Sequence, residues 1–512
     1  MSASTLPRPA AVNGAASLGG WRITALLFTA GAVSLAAEIA AARLLAPYFG
    51  ASTFIWANVI GVVLISLSVG AWLGGRASAR WPTERRLRQA TLVAAVLLAA
   101  VPFAAQPLLR VAAVAFSEIE AGAFLASLAA VLVLVSLPVA LLGAITPWTI
   151  GLVAREVGSL GSLAGRAYAI STAGSLAGTF LSALLLVPAL GSQRTFLCCA
   201  VLLAAAAAAG LPPAALAAPL ALAALIALPP GITKSALPGE RVIHEEETPY
   251  QYVRVLEEDG ELQLQLNEGR GIHSSYRPET VLTDNVFDGF LVLPLARLGR
   301  PPARMAMLGN AAGTVSRAYE RFFPHTGIDG VEIDGALSRV GRRYFQMDNP
   351  RLRVHTEDAR PFLRRSEGPY DLVAVDAYRQ PYIPFYLATT EFFALARSRL
   401  TPEGAVIVNV GHPPGDDRLE RTLTATMRAV FPHVLRYPIQ TTSTLLIAAR
   451  APLGADRLRQ ATTGLSPELR PLAEAAAAEI EPALSGGRAL TDDRAPVEWL
   501  IDASIVEYAA GQ

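Results

Sequence analysis

The chain has 512 residues, enough for several domains. Hydrophobic residues make up 52% and charged residues only 17%, with a mean hydropathy of +0.39, which excludes an ordinary soluble enzyme along the whole length. A net charge of +1 gives no general case for nucleic-acid binding, and two adjacent cysteines, Cys198 and Cys199, exclude a disulfide framework or a zinc site. The apolarity is uneven: long Ala/Leu/Val runs precede about residue 230, and ordinary globular charge follows. Nearly all basic residues are Arg, and Lys234 is the only Lys.

Residues 1–20 are small and polar, a flexible lead, and the apolar stretch behind them is too long for a signal peptide. Residues 21–229 read as a membrane domain of about seven helices. The candidate spans are Ile23–Tyr48, Phe54–Leu73, Gln89–Phe103, Phe124–Trp148, Tyr168–Leu190, Phe196–Ala209 and Ala214–Leu228. Gly61, Gly70, Gly174 and Gly178 recur inside them and favour close helix packing. Glu38 and Arg43 in the first span read as an ion pair or interfacial residues rather than a proton path. Arg76, Arg80, Arg85, Arg86 and Arg88, and later Arg155 and Arg166, mark two cytoplasmic loops and a cytoplasmic N-terminus. Seven spans would then put the second half outside, away from a nucleoside substrate. One weak segment, Pro107–Phe116 or one of the last two, is therefore miscounted, and an even number of crossings is expected.

Residues 230–240 form a Pro/Gly-rich linker. Residues 241–283 form a small β element, with a hairpin between Tyr250–Leu256 and Glu261–Asn267. Residues 284–450 alternate helix and strand: a helix over Asp284–Leu298, then apolar runs at Met305–Leu308, Ile328–Ile333, Leu352–Thr356, Tyr370–Asp376 and Ala405–Val410. Val434–Tyr437 and Thr444–Ala449 close the sheet as an antiparallel pair, and residues 451–512 form a helical tail. The alternation predicts a doubly wound, Rossmann-like α/β sheet, with ligands beyond the carboxyl ends of its strands. Met305–Asp334 has the pattern strand, small-residue turn (Gly309 to Gly313), helix, strand and acidic end, as a nucleoside-binding unit does. Gly309, Glu332, Asp358 and Asp376 fall at the ends of four successive strands, which outweighs chance acidity.

These residues resemble the spermidine synthase (polyamine aminopropyltransferase) family on the class I S-adenosylmethionine-dependent fold, over about Glu240–Arg450. The resemblance is carried by Thr248-Pro249-Tyr250-Gln251, Leu266–Tyr276, Val331-Glu332-Ile333-Asp334, Glu357-Asp358-Ala359 and Val375-Asp376. Ala37-Glu38-Ile39 and Trp72-Leu73-Gly74-Gly75-Arg76 resemble the multi-span segment of membrane-fused bacterial members. The resemblance implies that Glu332, beside Ile333, holds the ribose hydroxyls and that Asp358, beside Ala359, holds the adenine amino group. It further implies that Gln251 lines the nucleoside site, that Gly309, Asn310 and Gly313 approach the methionine-derived part, and that Asp376 accepts a proton from or orients the attacking amine. The implied substrate is S-adenosylmethionine or its decarboxylated form, with methylthioadenosine released and no metal or further cofactor.

Departures from the family pattern are also legible. Ala312 stands where the turn usually carries an Asp, and Arg379 where a second Asp follows the catalytic one. Val286-Phe287-Asp288 replaces a Tyr-Gln-Glu, and His273 replaces a Gln as a polar lining residue. Arg379 opposes a polycation and favours a carboxylate. Tyr378, Tyr382, Phe385 and Tyr386 form an aromatic loop that caps the site or packs. Asp492 or Asp493 either restores acidity or caps a helix before Val497–Ile501. The expectation is thus a multi-pass enzyme of a bacterial inner membrane, in contact with lipid, homodimeric, with a cytoplasmic catalytic domain. Intramolecular cyclisation of the sulfonium, methyl transfer, and a non-catalytic nucleoside sensor on a transport module are the rival readings.

Overall fold

The computed structural model describes residues 20–49, 53–115, 122–154, 160–228, 234, 236–267, 271–378 and 383–501. Two compact units emerge. One is built mainly from residues 56–108 and 128–231 with most of the first helix, the other mainly from residues 232–512. The expected positions Arg155, Arg379 and Tyr382 lie outside the described residues.

The first unit is helical: α1 (Gly20–Phe49), α2 (Thr53–Arg80), α3 (Glu84–Ala115), α4 (Gly122–Val153), α5 (Leu160–Leu181), α6 (Val187–Ala208) and α7 (Ala217–Ile226). Among the described residues five stretches are long and apolar enough to cross a membrane: Gly20–Phe49, Ile55–Arg80, Glu84–Ala112, Phe124–Val153 and Leu160–Ala208. Pro107 lies inside α3, so no separate segment follows Phe103. The expected seven is corrected in two places. The fifth and sixth expected spans form one 49-residue helical run, with a π-helical turn at Ser182–Leu186 and a break at Gly191 (φ 79°, ψ 168°). The seventh shrinks to the short Pro213–Ile226.

Small residues set how closely these helices meet. A Cβ added at Gly70 would lie 1.9 Å from the Ala140 carbonyl oxygen, and one at Gly74 would lie 2.3 Å from that of Ala144, so α2 and α4 touch backbone to backbone. Gly174 and Gly178 do the same for α5 against Phe28 and Ala32 of α1, at 2.0 Å each. Gly61 faces open space and takes no part in such a contact. Arg88, near the start of α3, is fully buried. Its guanidinium donates to the carbonyls of Ala206 (2.8 Å) and Ala207 (3.3 Å) and to Glu84 (2.7 Å). It thereby satisfies carbonyls that the last turn of α6 would leave unpaired and complements the negative end of that helix.

The second unit begins with an antiparallel sheet in the order β1 (Arg241–Glu247), β2 (Tyr252–Glu258), β3 (Glu261–Leu266) and β4 (Ile272–Tyr276). The β2–β3 hairpin turns through Asp259 and Gly260, both at positive φ, as a tight two-residue turn requires. The main sheet contains β5 (Arg304–Leu308), β6 (Gly327–Glu332), β7 (Leu352–Thr356), β8 (Tyr370–Val375), β9 (Leu400–Gly411), β10 (His433–Gln440), β11 (Ser443–Ala449) and β12 (Glu481–Pro482). Their spatial order is β12-β10-β11-β9-β8-β5-β6-β7. β5 to β9 pair in parallel and β9 to β12 antiparallel, so the sheet is mixed and doubly wound.

Between and around these strands run α8 (Val286–Val292), α9 (Leu295–Leu298), α10 (Thr314–Phe322), α11 (Gly335–Tyr344), α12 (Ala359–Arg365), α13 (Thr390–Ser398), α14 (Arg418–Arg428), α15 (Ala455–Thr462) and α16 (Arg470–Glu479). One apolar cluster covers the sheet on the side of α12, α13 and α14, and a second on the side of α8, α10, α15 and α16. Two expectations are corrected here. The single helix expected over Asp284–Leu298 is two, because Pro294 cannot continue α8. The tail is not all helical: β12 extends the sheet edge, and a short helix spans 497–501.

Replacing Gly178 by Leu drives the new side chain into the Ala32 carbonyl and should destabilise the purified protein by about 1–3 kcal/mol, the usual range for overpacking. Gly61→Leu, in open space, should leave the thermal midpoint unchanged. Equal midpoints for both variants in detergent would refute the close α1–α5 contact.

Candidate active site

The candidate site lies where the chain order of the parallel strands reverses, between β5 and β8. Gly309 closes β5 at φ +90°, and a Cβ there would lie 2.3 Å from the Asp376 carbonyl oxygen. Only glycine lets the two strand ends come this close. The following turn is held by Glu332 at the end of β6, which accepts hydrogen bonds from the N–H of Ala311 (3.0 Å) and of Asp334 (3.0 Å). Asp334 caps α11 through the Ala336 N–H (3.0 Å) and accepts from Thr248 Oγ1 (2.7 Å). The Thr-Pro-Tyr-Gln stretch is in this way pinned to the end of β6, and Gln251 reaches the same carboxylate (3.4 Å).

A cavity of about 490 Å³ opens over these strand ends. It collects Gln251, His273, Gly309, Glu332, Ile333, Asp358, Ala359, Asp376 and Tyr378 from the residues expected on sequence, together with Phe385 and Tyr386 of the aromatic loop. Three expected residues do not line it. Asp288 is buried and staples its own loop, accepting from the N–H of Thr283 and Asp284 (3.0 and 2.8 Å) and from Thr283 Oγ1 (2.9 Å). Asn310 turns its amide to the Met347 sulfur (3.3 Å). Gly313 backs onto Met347, which a Cβ would overlap at 2.4 Å. Ala312 is fully buried against the small sheet with Leu337, Val340 and Phe345, so Ala311 is the turn residue that meets the cavity. Asp492 and Asp493 do not line it either. Asp492 pairs with Arg360, and Asp493 accepts from Thr491.

The lining is acidic. Glu332, Glu357, Asp358, Asp376 and Glu498 face the cavity, and no Lys or Arg does among the described residues. Glu357 is paired with Arg365. Asp358 caps α12 through the Arg360 N–H (2.9 Å) and accepts from the Tyr386 hydroxyl (2.6 Å). Burial pushes Glu332 up to about 7, against the lowering effect of its backbone N–H partners. Burial likewise pushes Asp376 up to about 6, partly offset by a hydrogen bond from Asn409.

Sequence reasoning missed Asn409 and Glu498. Asn409 Nδ2 donates to Asp376 Oδ1 (2.8 Å), and its Oδ1 accepts from Ser443 Oγ (2.6 Å). The Asp376 carboxylate, which accepts only, sets which way the amide points, and the Ser443 hydroxyl adapts to it. Tyr378 ties into the same strand, donating to the Asn409 carbonyl (2.9 Å) and accepting from the Gly411 N–H (2.6 Å). A lone Asn inside the apolar run Ala405–Val410 was the available signal. Glu498 had none beyond its place near Asp492.

Residues 291–448 match the spermine/spermidine synthase domain. A probable polyamine aminopropyl transferase of Bifidobacterium longum is 30% identical over 278 residues, covering 50% of this chain and 61% of that protein's length. A polyamine aminopropyltransferase of Vibrio vulnificus is 29% identical over 209 residues, covering 39% of this chain and 68% of the relative. A crystal structure of a probable spermidine synthase from Corynebacterium glutamicum aligns with a TM-score of 0.38 at 19% identity, over 49% of this chain and 97% of that one.

The two raised carboxylates have a cost that pH reveals. Their folded pKa values exceed the unfolded ones, so their contribution to stability is intact near pH 4 and is lost as pH rises through about 6 and 7. Asp376→Asn should therefore raise stability at pH 8 by up to about 3 kcal/mol, at 1.36 kcal/mol per pKa unit, with the gain vanishing near pH 4. Denaturation of the ligand-free protein at both pH values checks this, and a gain of equal size at pH 4 would contradict it.

Proposed function

We propose that this chain, whose residues 291–448 match the spermine/spermidine synthase domain, transfers an aminopropyl group from decarboxylated S-adenosylmethionine to an amine. The observation that carries this reading is the acidic cavity, with its five carboxylates and no cationic side chain among the described lining residues. Such a lining favours a sulfonium and an amine, and opposes the carboxylate of intact S-adenosylmethionine.

Each residue has a part that follows from its surroundings. Ionised Glu332 already accepts two backbone N–H bonds and has lone pairs left for the ribose hydroxyls. Asp358, with Tyr386 beside it, presents an acceptor for an exocyclic amino group. Asp376 lines the cavity with its Oδ1 held by Asn409, which leaves Oδ2 as the acceptor for the reacting nitrogen in this reading. The nitrogen lone pair attacks the propyl carbon next to sulfur. The C–N bond forms, the C–S bond breaks with its electrons going to sulfur, and neutral methylthioadenosine departs. Asp376 takes the proton released by the new ammonium. Its raised pKa makes it a stronger base than an ordinary carboxylate while leaving it ionised above about pH 6. The remaining rate enhancement comes from alignment of amine, carbon and sulfur.

We also propose that the helical unit is embedded in a membrane, with residues from 232 onward on the cytoplasmic side. The run Leu160–Ala208 is long enough to cross twice, and its break at Gly191 supports that turn. Pro213–Ile226 spans about 21 Å at 1.5 Å per residue, too short for a hydrocarbon core of about 30 Å. Six crossings result. The Arg88 bonds to the last turn of α6 agree independently, because they hold that turn at the level of the arginine-rich loop between α2 and α3. That loop is cytoplasmic by its charge.

Purified protein incubated with decarboxylated S-adenosylmethionine and a diamine should yield methylthioadenosine and the aminopropylated amine by mass spectrometry. Methylthioadenosine formed equally fast without any amine would instead indicate cyclisation, and adenosylhomocysteine from S-adenosylmethionine would indicate methyl transfer. Asp376→Asn should lower kcat by about 10²–10⁴, the range for a general base, while methylthioadenosine still binds. The topology has its own check in Lys234, the only lysine. A membrane-impermeant amine reagent should modify its peptide in inside-out vesicles and spare it in intact cells, whereas the opposite pattern would overturn the six-crossing arrangement.

A further inference from the structure

The end of α2 and the start of α3 carry Arg76, Arg80, Arg85 and Arg86, all exposed and none with a carboxylate partner among the described residues. The acid next to them in sequence, Glu84, is taken by Arg88 (2.7 Å). Two of the four are seated on tryptophan. The Arg76 guanidinium lies 3.6 Å from the centre of the Trp72 ring, one turn back along α2, and that of Arg80 lies 5.5 Å from the Trp81 ring. Trp81 is fixed in turn by α4: its ring meets that of Trp148 (6.4 Å between centres), and Trp148 Nε1 donates to its carbonyl (3.3 Å). A guanidinium resting by one face on an aromatic ring keeps its in-plane N–H groups for an oxyanion. Toward the middle of α2 the exposed side turns apolar, with Leu64, Ile65, Val69 and Trp72 uncovered. The only polar group there, Ser68, donates to its own helix at the Leu64 carbonyl (2.8 Å). Leu64 and Arg76 are about 18 Å apart at 1.5 Å per residue, against ~15 Å for the hydrocarbon of one leaflet. The outer side of α2 therefore passes from apolar to aromatic to cationic over the depth of a single lipid.

Building on the membrane-embedded reading, we propose that this end of α2 is a binding site for an anionic phospholipid of the cytoplasmic leaflet. The acyl chains lie along Leu64, Ile65 and Val69, and the amphipathic Trp72 ring sits at the glycerol level. Arg76 and Arg80 take the phosphate oxygens, each already held in place by its tryptophan. Arg85 and Arg86 add positive field but have no aromatic seat. A zwitterionic lipid brings its own ammonium to this cluster and is repelled by it, whereas a headgroup with net negative charge is not. Free phosphate and nucleic acid share the oxyanion but have no acyl chain for the apolar side of α2.

Tryptophan quenching of the full chain in phosphatidylcholine vesicles tests this, with the Trp72 signal read as the difference between wild type and Trp72→Phe. Brominated phosphatidylglycerol should quench that signal at a mole fraction at least about fivefold lower than brominated phosphatidylcholine does, the gain expected for one arginine at an anionic surface. Arg76→Gln/Arg80→Gln should abolish the preference and leave quenching by brominated phosphatidylcholine unchanged, which also shows that the variant is inserted and folded. Arg85→Gln/Arg86→Gln removes the same charge away from the tryptophan seats and should keep most of the preference. Equal quenching by the two lipids in the wild type, or equal loss in both double variants, would overturn the site. Quenching of Trp72 by neither lipid would refute the membrane reading along with it. An RNA oligonucleotide at equal phosphate concentration should not relieve the phosphatidylglycerol effect, and relief would assign the surface to nucleic acid instead.

Discussion

The second unit is organised around one close approach. The chain can bring the ends of β5 and β8 together only because Gly309 has no side chain to meet the Asp376 carbonyl. That contact sets the position of Asp376 relative to the turn, and Glu332 then locks the turn through the Ala311 N–H. Asp334, two residues on, carries the constraint outward by receiving Thr248 from the turn between β1 and β2. Three segments far apart in the chain are thus referred to one point, and the cavity is the space above it.

The site is maintained against its own stability. Glu332 and Asp376 are carboxylates in poorly solvated positions, and the fold compensates each only in part, with two backbone N–H groups for one and a single amide for the other. A bound sulfonium, with its ribose hydroxyls and positive charge, would complete what these groups lack. Such a lining favours a cationic, hydroxyl-bearing guest. The neighbouring carboxylates are handled differently. Glu357 has Arg365, and Asp358 has a helix N-terminus and a tyrosine, so their charge is balanced before any ligand arrives.

Strand ends were legible in the sequence because an apolar run followed by a carboxylate is a one-dimensional signal. Glu332, Asp358 and Asp376 carry that signal, and Gly309 is marked by the small-residue turn after its strand. Side-chain direction was not legible. Asn310 and Gly313 sit in the right turn but face Met347, and Asp288 sits on the expected helix but folds back onto Thr283. Ala312 looked like an eroded ligand position, yet it packs into the core, and its neighbour Ala311 meets the cavity. Helix number suffered from a different ambiguity: a hydropathy run does not reveal a break such as Gly191, nor the shortness of α7. Glu498 comes to the cavity on a tail held by the Asp492–Arg360 pair, 132 residues apart in the chain, and no local pattern reports such a contact.

That clamp also bears on how the protein is made. Val497 and Ile501 complete a core that includes Phe392, Phe393 and Leu423, yet they leave the ribosome after every strand of the main sheet. Until then the face formed by α12, α13 and α14 stays open, with apolar surface exposed on a growing chain. Synthesis proceeds from the N-terminus, so the helical unit is already finished while this face waits. The nascent second unit is consequently most vulnerable to aggregation and proteolysis in the last moments of translation. A message truncated just upstream of residue 490 would yield a protein with all its strands but an unsealed core.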